Sequence, residues 1–457
     1  MTVLIHVEVS ARELDSKILL AVLAASHGHD VILGDVIGAA EVGLFRKAVF
    51  HTKSVTPAKK LLKRHGTINR MGCKITSQDE EAYLVEYGYE SFGARRFSFQ
   101  TIDQVGAIFC WGADDFEYLC RTYPSLSNRI VMTGSPRADL WRDRFSDFWS
   151  KVQSTPGQPF LLVASNMGVR RTSLSDRVRG LQNSGYFERD PSLKVNLLFR
   201  EARYNEMLAH FVLAISFLAE TRPGYQIVVR PHPNESVETW ETLLGGIPGV
   251  SVIHAGSITA WVQRAFAVMH NGCTTALEST ISGTPVVTYV PVQSEFLALP
   301  NDLGHKARDH LELRSLLDDL FEGRIGGNAP ISSTSDNEVL GTKIFLDEEE
   351  LAAEKIVRVW NELTETRKAS FIALAGLWLF SHAKVLRDSF RFLNPLSRKR
   401  GSLVDSYEKF PALKRLEVVL KVRELEKTLG RRKHLKVNLV GRRTILIRGD
   451  TEALRAD

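Results

Sequence analysis

Short apolar runs that end in polar turns dominate the first three quarters of the chain. The runs at 2–9, 160–164, 225–229 and 265–269 have the composition of buried strands, and 11–26 has helical periodicity. Strands and helices alternate in this way along most of the sequence. The pattern predicts an α/β fold with mainly parallel sheets. In such sheets ligands bind beyond the carboxyl ends of the strands, so the loops after these runs are the first candidates for a site.

A polar segment at 150–159 with two prolines and a glycine divides the pattern into two halves. The 457 residues are enough for two or three domains. We predict an N-terminal Rossmann-like domain (1–150) that supplies acceptor binding and a catalytic carboxylate. A second Rossmann-like domain (157–345) would bind a nucleotide-sugar. Helices at 346–393 are expected to pack back on the core, and 394–457 is expected to be a basic helical extension.

The composition is that of an ordinary soluble protein, with 44% hydrophobic and 25% charged residues. Four cysteines without metal-like spacing are expected to be reduced, core-filling thiols, as in cytoplasmic proteins. No signal peptide is recognisable at the N terminus. The longest apolar run, 371–380, is shorter than the about 20 residues that span a bilayer. We expect a cytoplasmic protein, with peripheral association to the inner face of the membrane as a further hypothesis.

Charge is distributed unevenly. Residues 366–457 contain 22 Lys and Arg and 9 Asp and Glu, a net charge of +13, whereas the whole chain has +6, so the first 365 residues carry −7. The segment 371–392 combines an apolar helical pattern with Lys and Arg, which fits a helix lying on an anionic membrane. The alternative is a helical appendix on the core with a solvated basic face.

The loop after the run at 225–229 contains Arg230 and His232 between prolines. Prolines on both sides of His232 fix the backbone, so the imidazole projects predictably and is suited to bind a phosphate, with Arg230 supplying charge. The alternative is a histidine ordered by a turn without a ligand. Glu235 is suited to orient this loop. His254, before the next run, is a candidate for contacts with the nucleotide base or ribose.

The loop after the run at 265–269 offers a second group of candidates. Asn271 and Gly272 precede two hydroxyls, Thr274 and Thr275, at a predicted helix start where N–H groups and the helix dipole favour an anion. Glu278 follows Thr275 at the spacing of a capping box, which is the purely structural alternative. Glu278 is otherwise suited to hold a ribose hydroxyl.

In the first half the acidic triplet Asp79, Glu80 and Glu81 follows a predicted strand. Clustered carboxylates raise one another's pKa, which suits a catalytic base or nucleophile; an acidic first turn of a helix is the alternative.

Charged residues also surround the first strand-to-helix turn. Glu8, Arg12, Glu13 and Asp15 are candidates for binding the acceptor or, alternatively, members of an ion-pair network.

Dehydrogenases, kinase-like enzymes and metalloenzymes lose support as interpretations because their motifs are missing from the sequence. There is no GxGxxG fingerprint, no Walker loop and no metal-spaced His or Cys set. We therefore expect no metal site, no cofactor and no nucleic-acid partner.

Six segments within 3–305 together carry a family resemblance. They are Glu8-x-x-x-Arg12-Glu13-Leu14-Asp15-x-Lys17, Asp79-Glu80-Glu81, Phe109-Cys110-Trp111-Gly112, Thr133-Gly134-Ser135-Pro136-Arg137-x-Asp139, Arg230-Pro231-His232-Pro233 and His270-Asn271-Gly272-Cys273-Thr274-Thr275. The chain resembles the bacterial surface carbohydrate biosynthesis proteins. These are similar to GT-B glycosyltransferases of the capsule and lipopolysaccharide type that use CMP-activated ulosonic acids such as Kdo and sialic acid.

The resemblance implies a GT-B-like fold with two facing domains, and transfer of a Kdo- or nonulosonate-type sugar from CMP to an oligosaccharide or lipid-linked acceptor. The triplet at 79–81 resembles the family's acidic motif, with Ala82 where glycine is usual, and would supply the base or nucleophile. His232, Thr274 and Thr275 resemble residues that bind the donor phosphate. Three rivals stay open: a UDP-GlcNAc 2-epimerase-like enzyme, a CDP-polyol phosphotransferase, and an inactive scaffold of a polysaccharide assembly complex.

Overall fold

The computed structural model describes residues 1–36, 38–81, 84, 89–183, 186–189, 191–292, 299–326, 340–363, 368–394, 400–431 and 434–449. The strands are β1 (Thr2–His6), β2 (Asp30–Gly34), β3 (Val49–Thr52), β4 (Lys74–Gln78), β5 (Ala107–Cys110), β6 (Ile130–Met132), β7 (Phe160–Ala164), β8 (Gln226–Arg230), β9 (Val250–Val252), β10 (Ala267–His270), β11 (Val286–Tyr289), β12 (His305–Ala307), β13 (Leu435–Gly441) and β14 (Thr444–Gly449).

The helices are α1 (Ser10–Ser26), α2 (Ala39–Val42), α3 (Lys59–Arg70), α4 (Glu90–Arg96), α5 (Phe99–Ile102), α6 (Ala113–Thr122), α7 (Pro136–Trp141), α8 (Ser146–Val152), α9 (Leu174–Asn183), α10 (Tyr186–Arg189), α11 (Ser192–Thr221), α12 (Val237–Leu244), α13 (Ile258–Val262), α14 (Thr275–Ser282), α15 (His310–Phe321), α16 (Ala352–Leu363), α17 (Phe371–Leu393), α18 (Arg400–Lys409) and α19 (Arg415–Thr428). Short 3-10 turns occupy Pro124–Arg129, Asp143–Phe145 and Leu299–Asp302.

The chain forms two compact units, each with its own sheet. Unit 1 comprises Met1–Tyr83, Gly88–Val152 and Leu340–Asp457; unit 2 comprises Leu84–Tyr87 and Gln153–Val339. The undescribed residues within these bounds are left aside. The α/β class with two Rossmann-like, mainly parallel sheets is confirmed, because each unit alternates strands with helices around a sheet whose neighbouring strands are mostly parallel.

The sheet of unit 1 has the strand order β13-β14-β2-β1-β3-β4-β5-β6. From β2 to β6 all neighbours are parallel. The chain first moves from β1 to β2 and then returns to the other side of β1 with β3. This reversal makes β1 and β3 the point in the sheet where a ligand crevice is expected, beyond their carboxyl ends.

The C-terminal segment is not only helical, as the sequence had suggested. After α18 and α19 it ends in the hairpin β13–β14, and β14 pairs antiparallel with β2, from Thr444 opposite Gly34 to Ile447 opposite Val31. Val440 and Leu446 belong to the core cluster of unit 1. The hairpin therefore completes the edge of the N-terminal sheet.

The sheet of unit 2 has the order β12-β11-β10-β7-β8-β9 and is parallel throughout. Its strands are short, and alternate apolar residues of β7, β8 and β10 belong to two hydrophobic clusters on the two faces of the sheet. Between β7 and β8 the chain forms α9, α10 and the 30-residue α11.

All four cysteines are free thiols, and Cys73, Cys110 and Cys273 are buried. In the part of the chain that the structure describes, no helix combines the length and the apolar character needed to cross a membrane.

Candidate functional site

The candidate donor residues of unit 2 follow three neighbouring strands. Ala164 of β7 lies in register with Arg230 of β8 on one side and with His270 of β10 on the other. The chain runs from β7 to β8 and β9 and then returns to the other side of β7 with β10, so the strand order reverses between β7 and β10. The structure thus brings the 230–235 loop and the 271–275 loop to one edge of one sheet.

Glu235 holds this edge together. Its carboxylate is fully buried and accepts hydrogen bonds from Ser165 Oγ at 2.8 Å and from the backbone N–H of Gly168 at 2.8 Å. The indole N–H of Trp240 (3.1 Å) and the backbone N–H of His232 (3.2 Å) donate to the same group. One side chain therefore fixes the loop after β7 against the loop after β8, as a charged acceptor satisfied by several neutral donors.

Arg230 also holds a loop at this edge of the sheet. It is almost fully buried and donates to the carbonyls of Ala255 at 2.5 Å and Gly256 at 2.9 Å, with its guanidinium over the ring of Trp261. Burial lowers the pKa of Arg230 to about 10, and the carboxylate of Glu278 acts against that effect. The contacts that Arg230 makes here are to the protein backbone, so its role as a phosphate ligand stays a prediction.

His254 lies next to this arginine. Burial and then the charges of Arg230 and Arg171 lower the pKa of His254, and its ring is hydrogen-bonded to the carbonyl of Pro231. The imidazole therefore braces the loop that contains His232. Its predicted contact with a base or ribose stays a prediction.

His232 is half-buried at the tip of its loop. Its Nδ1 accepts a hydrogen bond from the backbone N–H of Asn234 at 3.1 Å. A neutral imidazole that accepts at Nδ1 carries its proton on Nε2, so this local bond assigns the tautomer in which Nε2 is a donor. The flanking prolines and this bond together fix the orientation of the ring, and phosphate binding by His232 stays a prediction.

The loop after β10 is tightly connected to its neighbours. Asn271 donates from Nδ2 to the carbonyl of Tyr289 at 2.8 Å. Gly272 adopts φ 62°, donates its N–H to Asn301 Oδ1 at 2.6 Å and accepts from Asn166 Nδ2 at 2.9 Å. The left-handed backbone of Gly272 is one that side chains disfavour, which explains the glycine.

Thr274 and Thr275 sit at the start of α14, but the capping box proposed for Thr275 and Glu278 is not formed. The N-cap residue is Thr274, and its hydroxyl makes no capping hydrogen bond. Thr275 Oγ1 is paired with Cys273 Sγ at 3.2 Å. The half-buried Thr274 hydroxyl is therefore the better of the two for an external anion at this helix start.

In unit 1 the acidic triplet follows β4, beside β3 and β5, as expected from the sequence. Glu80 is buried and forms an ion pair with the buried Lys17 at 2.5 Å. Lys17 Nζ also donates to Nε2 of His51 at 3.2 Å, and His51 Nδ1 lies 3.1 Å from Thr76 Oγ1. Burial and then the Lys17 charge hold the pKa of His51 well below its usual range, so His51 is a neutral acceptor for Lys17.

Asp79 and Glu81 are more accessible than Glu80. The Asp79 side chain is 11% exposed, and its Oδ1 accepts from the N–H of Glu81 at 2.8 Å. Glu81 is 50% exposed and pairs with Arg12 and Arg96. Of the three acids, Glu80 is committed to Lys17, while Asp79 and Glu81 remain the candidates for contact with a substrate. Ala82 lies outside the described residues.

The four candidates for acceptor binding are all engaged in ion pairs. Glu8 pairs with Lys53 at 2.8 Å, and the buried Glu13 accepts from Arg12 at 3.2 Å. Glu13 also accepts from the N–H of Glu8 at 2.9 Å.

Asp15 forms an ion pair with Lys421 of α19 and so faces the C-terminal segment. The ion-pair alternative considered for these residues is observed, and acceptor binding by them stays a prediction.

A buried aspartate anchors the neighbouring loop of unit 1. Asp115 accepts from the N–H groups of Trp111 at 2.8 Å and Gly112 at 3.0 Å at the end of β5. Burial raises the pKa of Asp115 to about 7, and these backbone hydrogen bonds act in the opposite direction. Trp111 in turn donates from its indole N–H to the carbonyl of Asp79 at 2.7 Å, so Asp115 indirectly positions the acidic triplet.

The residues that the sequence analysis underrated are the supporting ones. A charged side chain at the start of an apolar run, such as Lys17 before Ile18 in α1, is a signal for a buried ion pair. Its partners are distant in sequence, because His51 lies on β3 and Glu80 follows β4. Asn301, which receives the Gly272 N–H, is 29 residues away and had no local signal. Among the described residues no group of three or more His, Cys, Asp or Glu side chains is arranged to hold a metal ion.

No protein-family model and no curated protein sequence matches the chain. Several solved structures resemble it at low identity. A UDP-GlcNAc 2-epimerase from Methanocaldococcus jannaschii is 11% identical, with 79% of this chain and 99% of that chain covered and a TM-score of 0.47. A glycosyltransferase from Rickettsia africae is 12% identical, with 79% and 98% covered and a TM-score of 0.42.

The wall teichoic acid polymerase TagF is 10% identical, with 69% of this chain and 71% of that chain covered and a TM-score of 0.42. Likenesses of this size do not assign an activity to this chain.

Proposed function

We propose that the protein is a glycosyltransferase that moves a sugar, of Kdo or nonulosonate type, from a CMP donor to a surface-polysaccharide acceptor. One observation carries this proposal: the loops after β7, β8 and β10 meet where the strand order of unit 2 reverses. They present an Nε2–H imidazole at His232 and an uncommitted hydroxyl at the helix start, Thr274. Both groups suit a phosphate.

The chemistry that follows is a substitution at the anomeric carbon. The bond from this carbon to the donor phosphate breaks, and CMP leaves with the electron pair. His232 and the N terminus of α14 stabilise the charge that develops on the leaving phosphate, and Arg230 adds a positive field from beneath the loop. These groups supply the positive charge that a metal ion would otherwise provide.

The acceptor needs a base. In a direct displacement its hydroxyl oxygen forms the new bond to the anomeric carbon, and its proton passes to a carboxylate of unit 1. Asp79 is our choice, because it is part of the acidic triplet, is partly exposed, and pairs with the partly exposed Arg96 at 3.6 Å and not with a buried lysine as Glu80 does. A route through a covalent sugar–carboxylate adduct would use the same carboxylates.

Thermal unfolding with CMP, CDP, UDP and GDP tests the donor site. At about 100 times its dissociation constant, a ligand that binds only the folded state stabilises it by about 2.7 kcal/mol. We expect CMP compounds to raise the Tm of the wild type and to raise that of His232→Ala much less. His382→Ala, at an exposed histidine on α17 in the other unit, is the matched control and should respond like the wild type.

Equal stabilisation of the wild type and His232→Ala by CMP would remove His232 from the site. A shift with UDP alone, together with turnover of UDP-GlcNAc, would favour the epimerase instead. Release of a phosphate-containing product from a CDP-alcohol would favour the polyol phosphotransferase.

A further inference from the structure

Helix α17 is attached to unit 1 along one face only. Ala373 and Leu377 are buried in the core cluster of this unit. Gly376 lies so close to Leu44 that a Cβ there would come within 3.3 Å of the leucine methyl groups. Lys384, on the same side, forms an ion pair with Asp35 at 2.6 Å. These contacts fix the rotation of the helix about its axis.

The opposite face of α17 is apolar and exposed. Its most exposed members are Phe371 (85%), Ile372 (82%), Leu386 (62%), Phe390 (73%) and Leu393 (76%). At 3.6 residues per turn they fall within an arc of about 120°. Single exposed apolar side chains are normal on a protein surface, but a stripe along the whole helix marks an interaction surface.

Trp378 and Leu379, 49% and 61% exposed, fill the middle of this stripe. We call the seven residues the apolar face of α17. Twenty-three residues at 1.5 Å each make the helix about 35 Å long, so the face is a long strip and not a local patch.

Basic residues also lie on this helix. Arg387 lies about 60° around the helix from the nearer edge of the apolar face, and Arg391 lies on the attached side; their side chains are 55% and 36% exposed, and both contact Asp388. Lys368 is exposed just before the helix begins. The helix also belongs to the part of the chain, from 366 onwards, that carries the net charge of +13. An apolar face with Lys and Arg beside it is complementary to an anionic lipid surface, where long basic side chains reach the headgroups.

We propose that the apolar face of α17 lies in the headgroup region of an anionic bilayer and holds unit 1 on the membrane surface. A second copy of the chain is the other candidate occupant. Two helices that pair in a coiled coil need a narrow seam of two positions per seven residues, whereas this face is broader and includes the polar side chain of His382. The breadth of the face and the positive charge of this part of the chain favour lipid. This inference does not depend on the proposed reaction.

Sedimentation with vesicles tests the inference on the full-length protein. The probes are vesicles of phosphatidylcholine alone and vesicles with about 30 mol% phosphatidylglycerol, at low and high salt. We expect binding to the anionic vesicles that weakens at high salt. The double variant Leu386→Glu with Phe390→Glu should lower the binding constant at least about tenfold, because two apolar side chains are lost from the lipid contact.

The chain offers a closely matched control on unit 2. Leu198 and Phe199 of α11 are a leucine and a phenylalanine of similar exposure, 55% and 69%. The double variant Leu198→Glu with Phe199→Glu adds the same charge and should bind anionic vesicles within about twofold of the wild type. Thermal unfolding of both variants checks that neither is unfolded; if the first is, Leu386→Ser with Phe390→Ser replaces it.

Three results would overturn the proposal. The wild type does not sediment with anionic vesicles, or both double variants lose binding equally. In the third, the wild type is a dimer without lipid and Leu386→Glu with Phe390→Glu is a monomer, which would assign the apolar face to a second copy.

Discussion

The buried carboxylates beyond the strands of the two sheets are stabilised in different ways. In unit 2 a single buried carboxylate, Glu235, gathers neutral N–H and O–H donors and thereby fixes two loops. In unit 1 the carboxylates at the edge are matched with cations, such as Glu80 with Lys17 and Glu13 with Arg12. The difference teaches that a buried carboxylate can be stabilised in two ways, by several neutral hydrogen-bond donors as in unit 2 or by a paired cation as in unit 1.

Removal of Lys17 is expected to have the largest effect on stability. Lys17→Met leaves the buried Glu80 carboxylate without its cation, which should lower the free energy of unfolding by about 3–5 kcal/mol. Denaturant unfolding measures the change. The double variant Lys17→Met with Glu80→Leu should recover most of the loss, because no buried charge remains. An equal loss in both variants would mean that packing and not charge balance is what Lys17 supplies.

Removal of the unit 2 anchor should cost somewhat less, since its partners are neutral. Glu235→Ala strands the donors of Ser165, Gly168 and Trp240, and we expect a loss of about 2–4 kcal/mol in denaturant unfolding. Glu238→Ala, an exposed glutamate on the helix that follows, is the control and should change stability by less than about 0.5 kcal/mol. Similar effects of the two substitutions would contradict the anchoring role.

The last effect concerns pH and the buried aspartate of unit 1. The pKa of Asp115 is about 7 in the folded protein, above its ordinary value of 3.8, so between these two pH values the folded state binds more protons than the unfolded chain. The free energy of unfolding therefore falls as the pH rises through this window.

The variant Asp115→Asn should flatten this slope in unfolding curves measured from pH 4 to pH 7.5. Asp147→Asn, at an exposed position on α8, should keep the slope. An unchanged slope in Asp115→Asn would show that another group titrates.

Much of the fold follows from local pattern. The apolar runs that became β7, β8, β10 and β11 were recognisable because strands buried on both faces are continuous and are flanked by turns. The short strands β3, β9 and β12 were not recognised, since runs of three or four residues carry too little periodicity.

In the hairpin β13–β14, the strand pattern was overlooked because of the high content of Lys and Arg. Residues 435–438 alternate between inward and outward positions, with Leu435 and Val437 buried and Asn438 exposed, and residues 444–447 of β14 are all buried. The concentration of Lys and Arg drew the interpretation towards a helical appendix, although the period of two was present.

The loops of the candidate site were predictable from the sequence, but the distant residues that hold them in place were not. Prolines around His232 and the glycine at 272 are local features with direct conformational consequences. Arg230 donates hydrogen bonds to the carbonyls at 255 and 256, and Asp15 pairs with Lys421. These contacts depend on which distant segments meet in the folded chain, and the sequence alone does not predict that.

The position of the hairpin has a practical consequence for how the C-terminal region can be studied. Truncation after 393 would remove both the charged segment and the strand that shields β2, leaving a row of backbone N–H and C=O groups open to pairing with other molecules. Aggregation of such a shortened protein would then reflect the exposed edge of β2 and not a change in its affinity for lipid. Point substitutions that leave residues 435–449 in place are the sound route.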